Sequence, residues 1–201
     1  MWADLAPFLV TCLVIEMTPG PNMAYLALLS ARNGRLAGYV AAAGIGLGLL
    51  TIGLLAAFGF GQLVQDTPWL YQMLRWAGVA YLLYLAWDCW RDVHRPAKTD
   101  IAQTYGAAFR RGLITNLLNP KAFVFYVTVL PSFAGGQNQL QSHVLVLTLI
   151  YVAIATLMHG LIATGAGALT DVLQRPKWRV AMGAGSAALL VVVAIWVAVK
   201  T

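Results

Sequence analysis

The sequence predicts an all-α membrane protein with six transmembrane helices, and three observations lead to this class. The chain of 201 residues is 60% hydrophobic and only 10% charged, with a mean hydropathy of +0.74, whereas soluble domains carry about 25% charged residues. Apolar runs of about the 20 residues that cross a bilayer recur along the chain. The basic residues cluster between these runs, so the net charge of +6 does not indicate a nucleic-acid partner.

Six spans are expected, and the segments between them are short. Only residues 91–111 form a longer polar connector, so a single transmembrane domain over residues 1–201 is predicted. The predicted spans are 4–30, 37–60, 69–90, 112–132, 143–169 and 179–199. The first ten residues lack a basic segment before their apolar run, so no cleaved signal peptide is expected.

The basic residues predict the orientation of the spans. Ten of the 13 lysines and arginines lie on the side of the membrane reached after spans 1, 3 and 5. They are Arg32, Arg35, Arg91, Arg95, Lys98, Arg110, Arg111, Arg175, Lys177 and Arg179. The positive-inside rule places this side in the cytoplasm, and both termini then lie outside it. Tryptophans near both ends of the spans fit the interfacial preference of this side chain.

Two of the predicted spans contain prolines near their middle. Span 1 contains TPGPN at 18–22, and span 4 contains NLLNPK at 116–121. Proline removes an amide donor and clashes with the preceding turn, and irregular backbone at this depth persists only where protein or a water-filled cavity covers it. Helices 1 and 4 are therefore expected to break and to restart at Pro21 and Pro120, with Asn119 as an N-cap.

An ionisable residue lies close to each of these breaks. At about 1.5 Å per residue, Glu16 lies roughly 18 Å and Lys121 roughly 14 Å from the start of its span, near the middle of a core about 30 Å thick. The two charges either neutralise one another or serve a substrate. A restarted helix presents unpaired amides and the positive end of its dipole, which suit a carboxylate.

The positions of the breaks suggest an internal repeat. They fall in the first span of each group of three, and spans 2 and 5 both carry glycine-rich stretches, at 41–50 and 159–169. Two groups of three spans, about 1–95 and 105–201, form a 3+3 inverted repeat. Paired discontinuous helices are typical of secondary transporters with a site near the midplane. The glycines alone also fit ordinary close packing of helices.

Three stretches resemble one family of transporters, the LysE/RhtB family of amino-acid exporters. They are TPGPNMAYLALLSARNGRLAGYVAAAGIGLG at 18–48, LRWAGVAYLLYLAWDCWR at 74–91, and RRGLITNLLNPKAFVFYVTVLPSF at 110–133. Ala86 departs from the glycine that the family often has there, which affects packing more than chemistry. The resemblance implies export of amino acids or close analogues across the bacterial inner membrane, powered by the proton gradient. It does not settle which amino acid is moved.

A substrate site near the midplane follows from the breaks together with the resemblance. The half-helix N-termini, aided by asparagines and Lys121, are expected to hold a carboxylate, while Glu16 binds an ammonium group or an exchanged proton. The predicted substrate-binding residues are Glu16, Thr18, Pro19, Gly20, Pro21, Asn22, Asn116, Asn119, Pro120 and Lys121. His159 in span 5 is a second proton-coupling candidate, or a histidine bonded to a neighbouring helix. Alternating access would follow from one three-span half rocking against the other.

Two other classes of function receive less support. The chain has no H-E-x-x-H or G-x-S-x-G motif and no Cys/His cluster with metal spacing, so an intramembrane enzyme is not favoured and no cofactor is expected. A metal or inorganic-ion exporter on the same fold is the stronger alternative, although a divalent cation prefers several carboxylates or thiols. The expected partners are an amino acid, protons, the lipid bilayer and a second copy in a homodimer.

Overall fold

The computed structural model describes residues 5–18, 20–59, 67–93, 101–134, 140–170 and 176–200, and its regular elements there are all helices. Two helices, Arg35–Ala57 and Ser142–Gly167, are long and apolar enough to cross a membrane. Tyr105–Leu117 and Pro120–Ala134, which meet at a bend of 50°, provide a third if the bent pair is one span. The predicted all-α class is confirmed, and the apolar helices fit a membrane protein.

The helices follow the predicted apolar runs except around residues 91–111, predicted as a polar connector, where one helix ends at Val93 and the next begins at Ile101. They are α1 Leu5–Met17, α2 Pro21–Asn33, α3 Arg35–Ala57, α4 Pro68–Val93, α5 Ile101–Leu117, α6 Pro120–Val124, α7 Leu130–Ala134, α8 Leu140–Gly167 and α9 Pro176–Lys200. A π-helical turn, Phe125–Val129, joins α6 to α7.

Two short non-helical segments separate α1 from α2 and α5 from α6. Gly20 lies in extended backbone (φ −159°, ψ 179°) and precedes Pro21, the first residue of α2. Asn119 precedes Pro120 in the same way, and its side chain accepts a hydrogen bond of 3.0 Å from the Lys121 amide. Proline suits the first position because no intrahelical acceptor awaits its missing N–H there. The predicted N-cap at Asn119 is confirmed.

Helix α3 packs against α2, α5 and α8, and its glycines allow the backbones to approach closely. A Cβ on Gly44 would collide with the carbonyl oxygen of Phe109, and one on Gly112 of α5 would collide with the carbonyl oxygen of Ala41. Each helix thus needs glycine where it meets the other, as in other close contacts between membrane helices. The packing interpretation of these glycines therefore accounts for Gly44.

The remaining contacts join the helices in a regular scheme. Helix α8 also packs on α1, α2 and α7, and α4 packs mainly on α9. Smaller contacts join α9 to α2, α2 to α5, and α4 to both α5 and α6. Among the described elements, α3 thus lies at the centre of this network.

One charge pair differs from the interpretation of the sequence. From the sequence alone, Asp88 beside Trp87 is expected to be an interfacial charge or a partner of Arg91 on the same helix face. Its carboxylate instead lies 2.5 Å from the guanidinium of Arg111 on α5, and the two side chains are 20% and 30% exposed. Asp88 can reach Arg111 because the helices that carry them, α4 and α5, pack against each other.

Candidate functional site

The carboxylate of Glu16 lies at the end of α1 and is buried against α8. Glu16 is 4% exposed. Its Oε1 accepts a hydrogen bond of 2.7 Å from the Tyr151 hydroxyl, and its Oε2 lies 3.7 Å from Nε2 of His159. Tyr151 and His159 are eight residues apart on α8, a spacing that puts both on one helix face. Nδ1 of His159 is buried without a hydrogen-bond partner.

Tyr151 is held in place by two aromatic rings from the π-helical turn. The ring of Phe125 stacks on Tyr151 with centroids 3.7 Å apart, and the ring of Tyr126 meets it edge-on at 5.7 Å. All three side chains are at most 1% exposed. Tyr151 is not among the residues that the sequence predicts for the site. Its spacing from His159 was an available signal, because a buried tyrosine hydroxyl usually has a partner.

Lys121 reaches from the start of α6 to the end of α1. Its Nζ donates a hydrogen bond of 2.8 Å to the carbonyl oxygen of Thr18. The last carbonyls of a helix lack intrahelical donors and carry the negative end of its dipole, so they suit a cation. Among the described residues, the basic side chain within 4.0 Å of the Glu16 carboxylate is that of His159 and not that of Lys121. The side chains of Glu16 and Lys121 therefore have separate partners.

A second hydrogen bond joins two helices that flank the same non-helical segments. Asn22, near the start of α2, donates a bond of 2.7 Å from Nδ2 to Oδ1 of Asn116, in the last turn of α5. Asn22 is 6% exposed and Asn116 is fully buried, yet Oδ1 of the first and Nδ2 of the second have no partner. Buried polar atoms in this condition are uncommon.

A small cavity lies between these groups. The empty space between them is about 260 Å³, which includes the open solvent at its mouth. Its walls combine residues from α1, α2, α3, α6 and α8 with those of the non-helical segments. The lining residues are Glu16, Gly20, Asn22, Met23, Leu49, Asn119, Lys121, Ala122, Tyr151 and His159.

Most of the residues predicted for the site lie at or beside this cavity. Asn116 bonds to Asn22, which lines the cavity. The carbonyl oxygen of Thr18 accepts a hydrogen bond from Lys121, and the Thr18 hydroxyl donates one to the carbonyl oxygen of Val14. Pro21 and Pro120 are buried at the starts of α2 and α6. Pro19 lies outside the described residues. Three further lining residues are not among those predicted from the sequence: Met23, Leu49 and Ala122.

The described part of the chain offers little to a metal ion. Within it, no group of three or more His, Cys, Asp or Glu side chains is placed to hold one. The arrangement instead offers one carboxylate, one ammonium group and several hydrogen-bonding groups to a small polar molecule. The alternative of a metal-ion exporter therefore gains no support from these residues.

Apolar membrane-length helices around a small polar cavity are typical of a multi-pass membrane protein. Residues 13–201 match the model of the LysE type translocator family, and the chain belongs to this family. The predicted family resemblance is thus confirmed. The description of the family as translocators also agrees with the expectation of a transporter rather than an enzyme.

Two relatives show how far the similarity extends. The leucine efflux protein of Salmonella typhimurium (strain LT2) is 36% identical over 130 residues, which span 63% of this chain and 61% of that protein. The homoserine/homoserine lactone efflux protein of the same strain is 27% identical over 191 residues, 92% of this chain and 91% of that protein. The chain thus covers less than two thirds of the length of the leucine efflux protein. No solved structure matches the chain.

Proposed function

We propose that the chain is a secondary transporter that exports amino acids or close analogues from the cytoplasm in exchange for protons. The observation that carries the proposal is a buried carboxylate and an ammonium group lining the same small cavity, those of Glu16 and Lys121. An amino acid in water carries the opposite pair, an ammonium group and a carboxylate. The names of the two efflux relatives support the same class of substrate.

The start of α2 is the proposed seat of the substrate carboxylate. Gly20, the N-cap of this helix, provides no side-chain hydrogen bond, and the first amides of a helix have no intrahelical acceptor. At the start of α6, by contrast, Asn119 already accepts from the Lys121 amide. Asn22 lines the cavity beside the open helix end, and its hydrogen-bond partner Asn116 has a buried donor, Nδ2, without a partner. The Lys121 ammonium supplies the countercharge once it leaves Thr18.

Glu16 and His159 form the proposed seat of the substrate ammonium and the exchanged proton. The carboxylate and the imidazole are 3.7 Å apart, so a proton or an ammonium group could occupy this place in turn. Competition of two cations for one carboxylate would couple their movements in opposite directions, as an exchanger requires. Tyr151 fixes the position of the carboxylate for both.

An inverted repeat of two three-span halves is the proposed basis of alternating access. If α1–α2 and α5–α7 are spans 1 and 4, each of the helix contacts described above has a counterpart when the halves are exchanged. The contact between spans 1 and 5 matches that between 4 and 2, and the contact between 3 and 4 matches that between 6 and 1. This regularity supports the repeat, in which one half rocks against the other.

The two hydrogen bonds between the broken helices fit the same symmetry. Asn22 and Lys121 are each the second residue of a restarted helix, and each reaches to the end of the other broken helix. We call the bonds Asn22–Asn116 and Lys121–Thr18 the cross-ties. If one cross-tie breaks while the other is kept, the two halves separate at one end, as alternating access requires. Insertion in the inner membrane, termini outside the cytoplasm, and a homodimer remain predictions.

The substitution Glu16→Gln tests the proposal because it keeps the size of the side chain and removes its charge. Purified protein in vesicles loaded with leucine or homoserine would be given an inward proton gradient, and efflux would be measured. We expect the variant to insert normally but to lose the acceleration that the gradient causes. Asp88→Asn, which removes a carboxylate far from the cavity, serves as the control. Full acceleration in the Glu16→Gln protein would refute the role of this carboxylate.

A further inference from the structure

The lining of the cavity distinguishes between classes of amino acid. Three of its residues are apolar: Met23 from α2, Leu49 from α3 and Ala122 from α6. Leu49 and Ala122 are each 2% exposed, so these side chains are well ordered by their neighbours. They form a surface that a substrate side chain can contact, while the charged groups of the substrate occupy the polar residues. We call these three residues the apolar wall.

The charged lining residues amount to one carboxylate and one ammonium group. Among the described residues that line the cavity, two are of the types Asp, Glu, Lys or Arg, and they are Glu16 and Lys121. The backbone ammonium and carboxylate of an amino acid use both. A charged substrate side chain would then be buried without a countercharge, which is strongly unfavourable.

We propose that the substrates are neutral amino acids with apolar side chains, which contact the apolar wall. This inference rests on the proposed function and specifies the substrates of the same site. Charged amino acids are rejected strongly, because their side chain has no partner. Hydroxylated amino acids are rejected less, since an apolar pocket discriminates against an added hydroxyl by only about 100-fold.

Competition for leucine exchange tests the selectivity. Vesicles with the purified protein and internal leucine would take up labelled leucine at equal pH on both sides, in the presence of unlabelled methionine, threonine, lysine or glutamate. We expect methionine to compete nearly as well as leucine, and lysine and glutamate to be at least about 100-fold weaker. Equal competition by lysine or glutamate would overturn the inference while leaving export of amino acids intact. Failure to exchange any of the five would refute the proposed function as well.

A pair of leucines on α3 tests the part played by the apolar wall. Leu49→Ala shortens the wall, whereas Leu47→Ala changes the same residue type on the same helix at a side chain that is 43% exposed. We expect the preference for leucine over alanine to fall by about 10-fold or more in the first variant, because fewer apolar contacts remain. It should not change in the second. An unchanged preference in Leu49→Ala, in protein shown to be folded by its thermal midpoint, would contradict the assignment.

Discussion

The substitution Gly48→Ala examines how α3 makes room for the Asn22–Asn116 cross-tie. A Cβ on Gly48 would lie 2.7 Å from Nδ2, 3.0 Å from Cβ and 3.2 Å from Cγ of Asn116. Asn116 is fully buried and cannot turn towards solvent. The added methyl group must therefore displace the side chain that Asn22 binds.

The size of the effect follows from these distances. Ordinary contact begins at 3.4 Å, so the amide nitrogen must withdraw by about 0.7 Å (3.4 − 2.7). Hydrogen bonds weaken beyond about 3.2 Å, and the cross-tie measures 2.7 Å. Overpacking typically costs about 1–3 kcal/mol, and a buried polar group left unpaired costs a similar amount. We expect a total destabilisation of about 2–6 kcal/mol.

Thermal unfolding of the purified protein in detergent provides the assay. A loss of this size lowers the midpoint by at least about 4 °C for a chain of this length. Gly165→Ala is the matched control, because a Cβ there meets no atom within 4 Å. It should leave the midpoint unchanged or raise it slightly, since alanine favours a helix.

A second variant separates the clash from a general effect of alanine. In protein that already carries Asn116→Ala, two of the three contacting atoms are gone, so Gly48→Ala should cost much less there. If Gly48→Ala behaves like Gly165→Ala, or costs the same with and without Asn116, the reasoning about the cross-tie is wrong.

Two further predictions concern the partners of buried charges. Tyr151→Phe removes the hydroxyl that donates to Glu16, and hydrogen bonds to charged groups contribute about 1.5–3 kcal/mol. A double-mutant cycle of Tyr151→Phe with Glu16→Gln, read by thermal unfolding, should give a coupling energy of at least 0.5 kcal/mol, and a coupling near zero would count against this bond. Asp88→Lys and Arg111→Glu should each destabilise the protein by about 1–3 kcal/mol, because each puts like charges together in a half-buried site. The double variant should recover most of the loss, and two independent, additive losses would argue against the ion pair.

The features that could be predicted from sequence are those with a strong local cause. Proline cannot donate an amide hydrogen bond or continue the preceding turn, so the starts of α2 and α6 at Pro21 and Pro120 could be placed by residue. The N-cap at Asn119 follows from the same local chemistry. A carboxylate in an apolar run is equally conspicuous, and Glu16 does line the cavity.

The features that could not be predicted depend on which helices pack together. Tyr151 lies in an apolar helix whose contacts are set by rotation and neighbours, and the period of hydrophobicity is uninformative when lipid surrounds the protein. The sequence predicts a partner for Asp88 on its own helix, whereas the cation in contact with its carboxylate is Arg111 of α5. Lys121 likewise bonds to a backbone carbonyl, which residue types do not reveal.

The π-helical turn at Phe125–Val129 has a consequence for how such a protein can change. In a regular helix, consecutive side chains point about 100° apart, so two adjacent large rings are rarely both enclosed. The wider turn encloses Phe125 and Tyr126 together, and both contact Tyr151. We expect that deleting one residue within this turn would restore regular winding and change the relative direction of the two rings, so the tyrosine that bonds to Glu16 would lose part of its support in one genetic step.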